Sequence, residues 1–203
     1  MNTFFIKLGL RICYFTASIL WGMMSFLQYK RYNGTVRLHI YNSIEIFRKE
    51  FSQLNECQRE LDRLTLQYDN FAVFFGGLFL VLYALKQRNE IKDTKTKPFW
   101  SAVLNTLIGL GIAYMALDWA ENYCFFHANN PDFVFESFKW VQLYKWIIGG
   151  FTLVALVFTD IFIFKNWRGI LWGILGFVLI NWLISKSFGL DKNSISICSK
   201  YTK

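Results

Sequence analysis

Apolar residues in this chain gather into long runs rather than spreading as narrow stripes. Four windows each approach the ~20 residues that a bilayer-crossing helix needs: 71–85 (FAVFFGGLFLVLYAL), 99–117 (FWSAVLNTLIGLGIAYMAL), 146–164 (WIIGGFTLVALVFTDIFIF) and 169–184 (GILWGILGFVLINWLI). A fifth, 12–27 (ICYFTASILWGMMSFL), is short and follows Arg11 closely. A buried core helix explains one such run, not five in a chain of 203 residues. The pattern predicts an all-α integral membrane helical bundle of about five transmembrane helices. Arg11 interrupts the early apolar segment and no small-x-small site follows, so residues 1–29 read as a retained first span rather than a cleaved signal. A helix lying in the interface is the alternative.

Residues 30–70 follow a different pattern. Ile40, Ile44, Phe47, Phe51, Leu54, Cys57, Leu61, Leu64, Tyr68 and Phe71 recur at steps of three and four, a single stripe down one long amphipathic helix. Arg48, Lys49, Glu56, Arg59, Glu60 and Arg63 occupy the other face, and Glu45 stands four residues before Lys49. The mixed signs disfavour a lipid-surface helix, and the near-heptad spacing favours helix–helix contact. Ile44, Phe47, Phe51, Leu54, Leu61 and Leu64 are therefore candidate oligomerisation residues, with packing inside one chain as the competing reading. The division that follows is a span at 1–29, the amphipathic helix at 30–70, four spans at 71–186 and a polar tail at 187–203.

Composition agrees with membrane residence: 54% of residues are hydrophobic and 20% aromatic. The net charge of +8 would suggest nucleic acid in a soluble protein, but here Lys and Arg gather at span ends, where headgroups meet them. No basic run interleaved with aromatics lies outside the spans, so direct nucleic-acid binding is not expected. The lipid bilayer is the expected partner. Five spans place thirteen Lys and Arg on the face holding residues 28–70 and nine on the other, a lean too small to fix orientation. Trp100, Trp119, Trp140, Trp146 and Trp167 fall near span ends, as interfacial anchors do. Cys13, Cys57, Cys124 and Cys198 form no C-x-x-C pair and imply neither a zinc site nor a disulfide framework.

The chemistry concentrates in AYMALDWAENYCFFH, residues 113–127. Helical spacing puts Tyr114, Asp118, Glu121 and Asn122 on one face. A carboxylate at the bilayer centre costs ~2.5–3.5 kcal/mol and less near the interface, so it should face the bundle and find partners. Asp69 and Asn70 open the second span on the same side, and Lys145 opens the fourth; these seven form a candidate polar intramembrane cluster. A packing latch is the leading reading. A proton or cation pathway through Asp118 and Asp160 is the second, with Asp160 snorkelling towards Lys165 as its plain account. Asp118, Glu121, Cys124 and His127 cannot all aim at one metal ion, because every-third-residue spacing drifts halfway round a helix; a pair with ligands from elsewhere is the form left open, and no metal or cofactor is expected. Gly169, Gly173 and Gly176 form a small-residue seam suited to helix packing.

The stretch LDWAENY resembles the D-x-x-E-N signature of small, largely uncharacterised bacterial polytopic membrane proteins, and LQYDNFAVFFGGLFLVLYAL resembles their aspartate-led hydrophobic segment. The resemblance covers about a quarter of the chain. It implies a polytopic bundle, a bacterial inner-membrane setting, and polar roles for Asp69, Asp118, Glu121 and Asn122; the helix at 36–68 departs from it. The chain carries no P-loop, G-x-S-x-G or H-E-x-x-H. The expected function is non-enzymatic: an oligomeric pore, permeability effector or regulatory partner, with a protein partner from a neighbouring gene. Size and style also match accessory membrane proteins of bacterial defence (CRISPR-type) systems. A small ion or proton transporter and an intramembrane hydrolase using His127 with the acids are the alternatives.

Overall fold

Helix signals in the sequence lie outside the apolar runs as well as inside them. Asn55 caps a helix by accepting from the Gln58 backbone N–H at 2.9 Å, while its own N–H donates to the Gln58 side chain at 3.1 Å. Two otherwise orphaned amide donors are thereby satisfied reciprocally. Pro98 stands in the first turn of another helix, where its missing N–H removes no bond.

The computed structural model describes residues 3–31, 49, 52, 55–91, 96–127 and 135–187. These form five helices: α1 (Thr3–Arg31), α2 (Glu56–Glu90), α3 (Lys97–Phe126), α4 (Phe135–Phe162) and α5 (Trp167–Ser187). No strand occurs among the described residues, and all five helices are long and apolar enough to cross a membrane. The short run at 12–27 is thus part of a 29-residue helix that takes in Lys7 and Arg11.

α2 is the central element. It packs against α1, α3 and α4, while α5 rests on α1 and touches α4 near their shared turn. Its 35 residues span about 52 Å at 1.5 Å each, so α2 outruns a ~30 Å hydrocarbon layer. No break falls at residue 70, because residues 55–75 contain neither glycine nor proline to interrupt the ladder. At the other end, the helix outlasts the apolar run that stops at residue 85: residues 86–90 continue it, with Gln87 fully buried and bonded to α4. Ile44, Phe47, Phe51 and Leu54 lie outside the described residues; Leu61 and Leu64 are half-buried on α2.

Neighbouring contacts set the register. Gly9 meets Leu82 and the Tyr14 ring meets Phe79, so α1 and α2 are antiparallel. Gly77 faces Met115, and Arg88 donates to Asn105, between antiparallel α2 and α3. Phe125 meets Phe138 edge-on, and Gly149 receives the Tyr114 ring, between antiparallel α3 and α4. Tyr14 donates to the Gly173 carbonyl at 2.6 Å, and Gly22 receives Ile184, so α1 and α5 run parallel. One end of the bundle, the upper face, therefore holds the start of α2 and α4 and the end of α1, α3 and α5. The lower face holds the opposite ends.

Leu80, Ala84, Ile91, Leu104, Leu107 and Leu156 form the buried core between α2, α3 and α4. Outward faces remain apolar at helical spacing: Ile12, Phe15 and Ile19 on α1, Ile147, Phe151, Val154 and Phe158 on α4, and Trp172, Leu175, Leu179 and Trp182 on α5. So much exposed hydrocarbon suits a lipid surround.

Candidate functional site

Two polar nodes are buried, one towards each face. The upper node joins α2, α3 and α4. Asn122, 2% exposed, donates through Nδ2 to Asp69 at 2.9 Å and to Asn70 Oδ1 at 3.1 Å, with an Asp118 oxygen at 3.5 Å. Lys145 Nζ lies 2.7 Å from Asp118 Oδ1 and also donates to Glu121 Oε2. Gln142 Nε2 donates to the other Glu121 oxygen at 2.8 Å. Asp118, Glu121, Asn122, Gln142 and Lys145 are all buried.

The local reason is spacing. Asp118, Glu121 and Asn122 occupy one face of α3, and Gln142 and Lys145, three apart, occupy one face of α4. Antiparallel packing at Phe125–Phe138 brings these faces opposite each other. Asp69 and Asn70 enter from α2, whose unbroken path places them one layer away. Two carboxylates thus meet one ammonium, and a third, Asp69, joins them through Asn122. A buried ion pair repays its desolvation only when further hydrogen bonds saturate it, and the two amides supply those here.

Six of the seven residues expected in the cluster meet in this node. Tyr114 lies one turn below, with its ring packed where a Gly149 side chain would otherwise stand. Trp119 is turned outward: it stacks on Phe74 and donates to the Asn70 carbonyl at 3.3 Å. Asn70, Phe71, Phe74, Phe75 and Trp119 line an open groove of about 520 Å³ beside the node.

The lower node corrects the expectation for Asp160. Its carboxylate, 1% exposed, accepts from Tyr83 Oη, from Gln87 Nε2 at 3.0 Å and from Asn166 Nδ2 at 2.9 Å. Lys165 is exposed instead, in left-handed backbone geometry with φ 55°. Thr159 donates to the Gln87 side-chain oxygen at 2.7 Å, and the Asn166 N–H donates to the Asp160 carbonyl at 3.0 Å. Neutral donors from α2 and the α4–α5 turn reach the carboxylate first because they are short and rigidly placed. Snorkelling is replaced by a tie between α2 and the turn.

Gly169 lies against the Asn166 side chain, and Gly176 against the Tyr14 hydroxyl. The glycine seam therefore serves the turn and α1. His127 caps α3, exposed, with its ring stacked on Tyr123 and its Nδ1 2.9 Å from the Tyr123 carbonyl. It is turned away from the buried acids. Cys13 and Cys124 are free thiols, and no group of three or more His, Cys, Asp or Glu among the described residues could hold a metal ion.

Sequence reasoning missed Gln142, Tyr83, Gln87, Thr159 and Asn166. Gln142 and Lys145 share a helix face, as do Tyr83 and Gln87, so an amide spaced three or four from a polar residue at a span edge was the available signal. Asn166 carries no such signal; only the turn brings it to Asp160.

Fifteen residues of α4 separate Lys145 from Asp160, about 22 Å along the helix axis. Leu80, Leu107 and Leu156 are packed between the nodes, with Tyr114 against them. Thr152 is fully buried in this interval, but its hydroxyl is returned to the Ile148 carbonyl at 2.7 Å. The chemistry available is two hydrogen-bonded latches separated by hydrocarbon. No family model, curated protein or solved structure matches the chain.

Proposed function

We propose that this chain is a non-enzymatic multi-span membrane component that acts by assembling with other membrane chains, as a regulatory partner or as one wall of a permeability path between chains. A second copy, or a protein from a neighbouring gene, is the partner, and the bacterial inner membrane is the setting that its signature motif suggests. One observation carries the reading: both buried carboxylate nodes are closed by the chain's own side chains, and the ~22 Å of α4 between them faces Leu80, Leu107 and Tyr114, with its one buried hydroxyl, Thr152, bonded back to its own helix. Such nodes hold helices in place. On this reading a single copy carries no ion path of its own.

A second reading is a proton or cation carrier centred on the upper node. Three carboxyl groups and one ammonium in a single buried network favour it, since transported ions are usually met by such groups. Vesicle flux separates the two. At one copy per liposome, wild-type protein should show no proton or potassium flux above the lipid blank, whereas flux at high density should rise faster than linearly with protein. Selective flux at single-copy density, lost in Asp118→Asn while that variant stays monodisperse, would replace the first reading with the second.

A further inference from the structure

The two faces divide the charge unequally. Among the described residues of the five helices and the α4–α5 turn, the lower face has seven basic and two acidic side chains, a balance of +5, whereas the upper has seven of each. Burial sharpens the contrast. Of the lower face's acids, Asp160 is sealed inside by Tyr83, Gln87 and Asn166, and Glu90 pairs with Lys86 at 3.5 Å.

Lys7, Arg11, Lys165 and Arg168 are exposed, and none of them meets a carboxylate among the described residues. The parallel packing of α1 and α5 puts them at one end of the bundle. Arg11 lies three residues before Tyr14, and Arg168 five before Gly173, the residue Tyr14 bonds. At ~1.5 Å per residue their backbone positions differ in depth by about 3 Å. Arg168 also lies against the Trp167 ring, 5.5 Å from its centroid, an indole–guanidinium pair where a span meets the headgroups. Arg88 is held by Asn105 at 2.7 Å at the same end of the bundle.

We propose that the lower face is an anionic-phospholipid contact surface, with Lys7, Arg11, Lys165 and Arg168 as the cations that hold lipid phosphate between the starts of α1 and α5. Unneutralised charge at the membrane boundary attracts anionic headgroups, and a guanidinium presents paired donors to a phosphate. The turn geometry contributes directly. By sending Asn166 rather than Lys165 to Asp160, it leaves that ammonium free for the headgroup.

The test uses the full chain in neutral detergent, exposed to an equimolar mixture of phosphatidylglycerol and phosphatidylcholine, with retained lipid counted by native mass spectrometry. Wild type should retain phosphatidylglycerol preferentially, by roughly five-fold per engaged cation. Substituting Gln at Lys7, Arg11, Lys165 and Arg168 together should bring retention to near parity. An upper-face variant, Arg63→Gln with Lys139→Gln, should keep the preference. Should the quadruple variant not fold, Lys165→Gly with Arg168→Gln replaces it, because glycine relaxes the left-handed turn while removing the charge; it should lose at least half of the preference. Millimolar inorganic phosphate should not displace the lipid, and 0.5 M salt should. Equal retention of the two lipids by wild type, an unchanged preference in the lower-face variants, or displacement by free phosphate would each overturn the proposal.

Discussion

Lys145 is the residue on which the upper node turns. Its ammonium meets Asp118 and Glu121 from a different helix, so it neutralises charge and ties α3 to α4 together. Removing one member of a buried ion pair leaves the other charge uncompensated, which destabilises by ~3–5 kcal/mol, whereas neutralising the whole set costs far less. Lys145→Met should therefore lower the thermal midpoint sharply in detergent, followed by tryptophan fluorescence. Adding Asp118→Asn and Glu121→Gln to it should recover more than half of the loss. An additive loss in the triple variant would mean that the three groups do not act as one unit. Asp160 obeys the same rule with a different set of donors, three neutral groups in place of a cation. Of these contacts, the shared helical face of Asp118, Glu121 and Asn122 was legible in the sequence, because α-helical period alone sets it. Gln87 and Asn166 were not, because their partner lies more than seventy residues away in one case and across a tight turn in the other.

Elements are held by glycine as much as by polar groups. A Cβ at Gly77 would strike the Met115 side chain, while a Cβ at Gly76 would meet nothing within 4 Å. Overpacking a filled seam costs ~1–3 kcal/mol, and replacing an open helical glycine gains up to ~0.5–1 kcal/mol. Gly77→Ala should accordingly be destabilising and Gly76→Ala neutral or stabilising, read by the same thermal assay. Equal effects at the two positions would contradict the α2–α3 register. The double glycine reads as a flexible or close-packed spot in sequence, but nothing local distinguishes its two members. α5 shows the same principle: Gly176 leaves room for the Tyr14 hydroxyl and the Gly173 carbonyl accepts from it, while a Cβ at Gly173 would meet nothing within 4 Å.

Across the whole molecule, five helices alternate in direction, and each face collects its own charge and its own node. Lys139 sits near the start of α4 on the upper face and Lys165 in the turn below α4, both exposed. Cysteines introduced singly at these positions should be labelled from opposite sides of a sealed vesicle by an impermeant maleimide, scored as label added over wild type. Labelling of both from the same side would break the five-span arrangement. The alternation also explains why the nodes cannot merge. The helices bring their charged residues towards span ends, and antiparallel neighbours return them to the same face, leaving mostly apolar side chains between.

What the sequence determined by itself was the medium and the element type. Apolar runs of this length must satisfy their backbone within helices once they leave water, and no partner is needed to reach that conclusion. Helical spacing likewise settled which residues could share a face at Asp118, Glu121 and Asn122. The tertiary structure alone decided which faces meet: that α2 stands in the centre, that Gln142 completes the upper node, and that Asp160 takes Tyr83, Gln87 and Asn166 rather than Lys165. Those choices depend on side-chain shape across helix interfaces, where hydropathy is nearly uniform and one partner looks, along the chain, much like another.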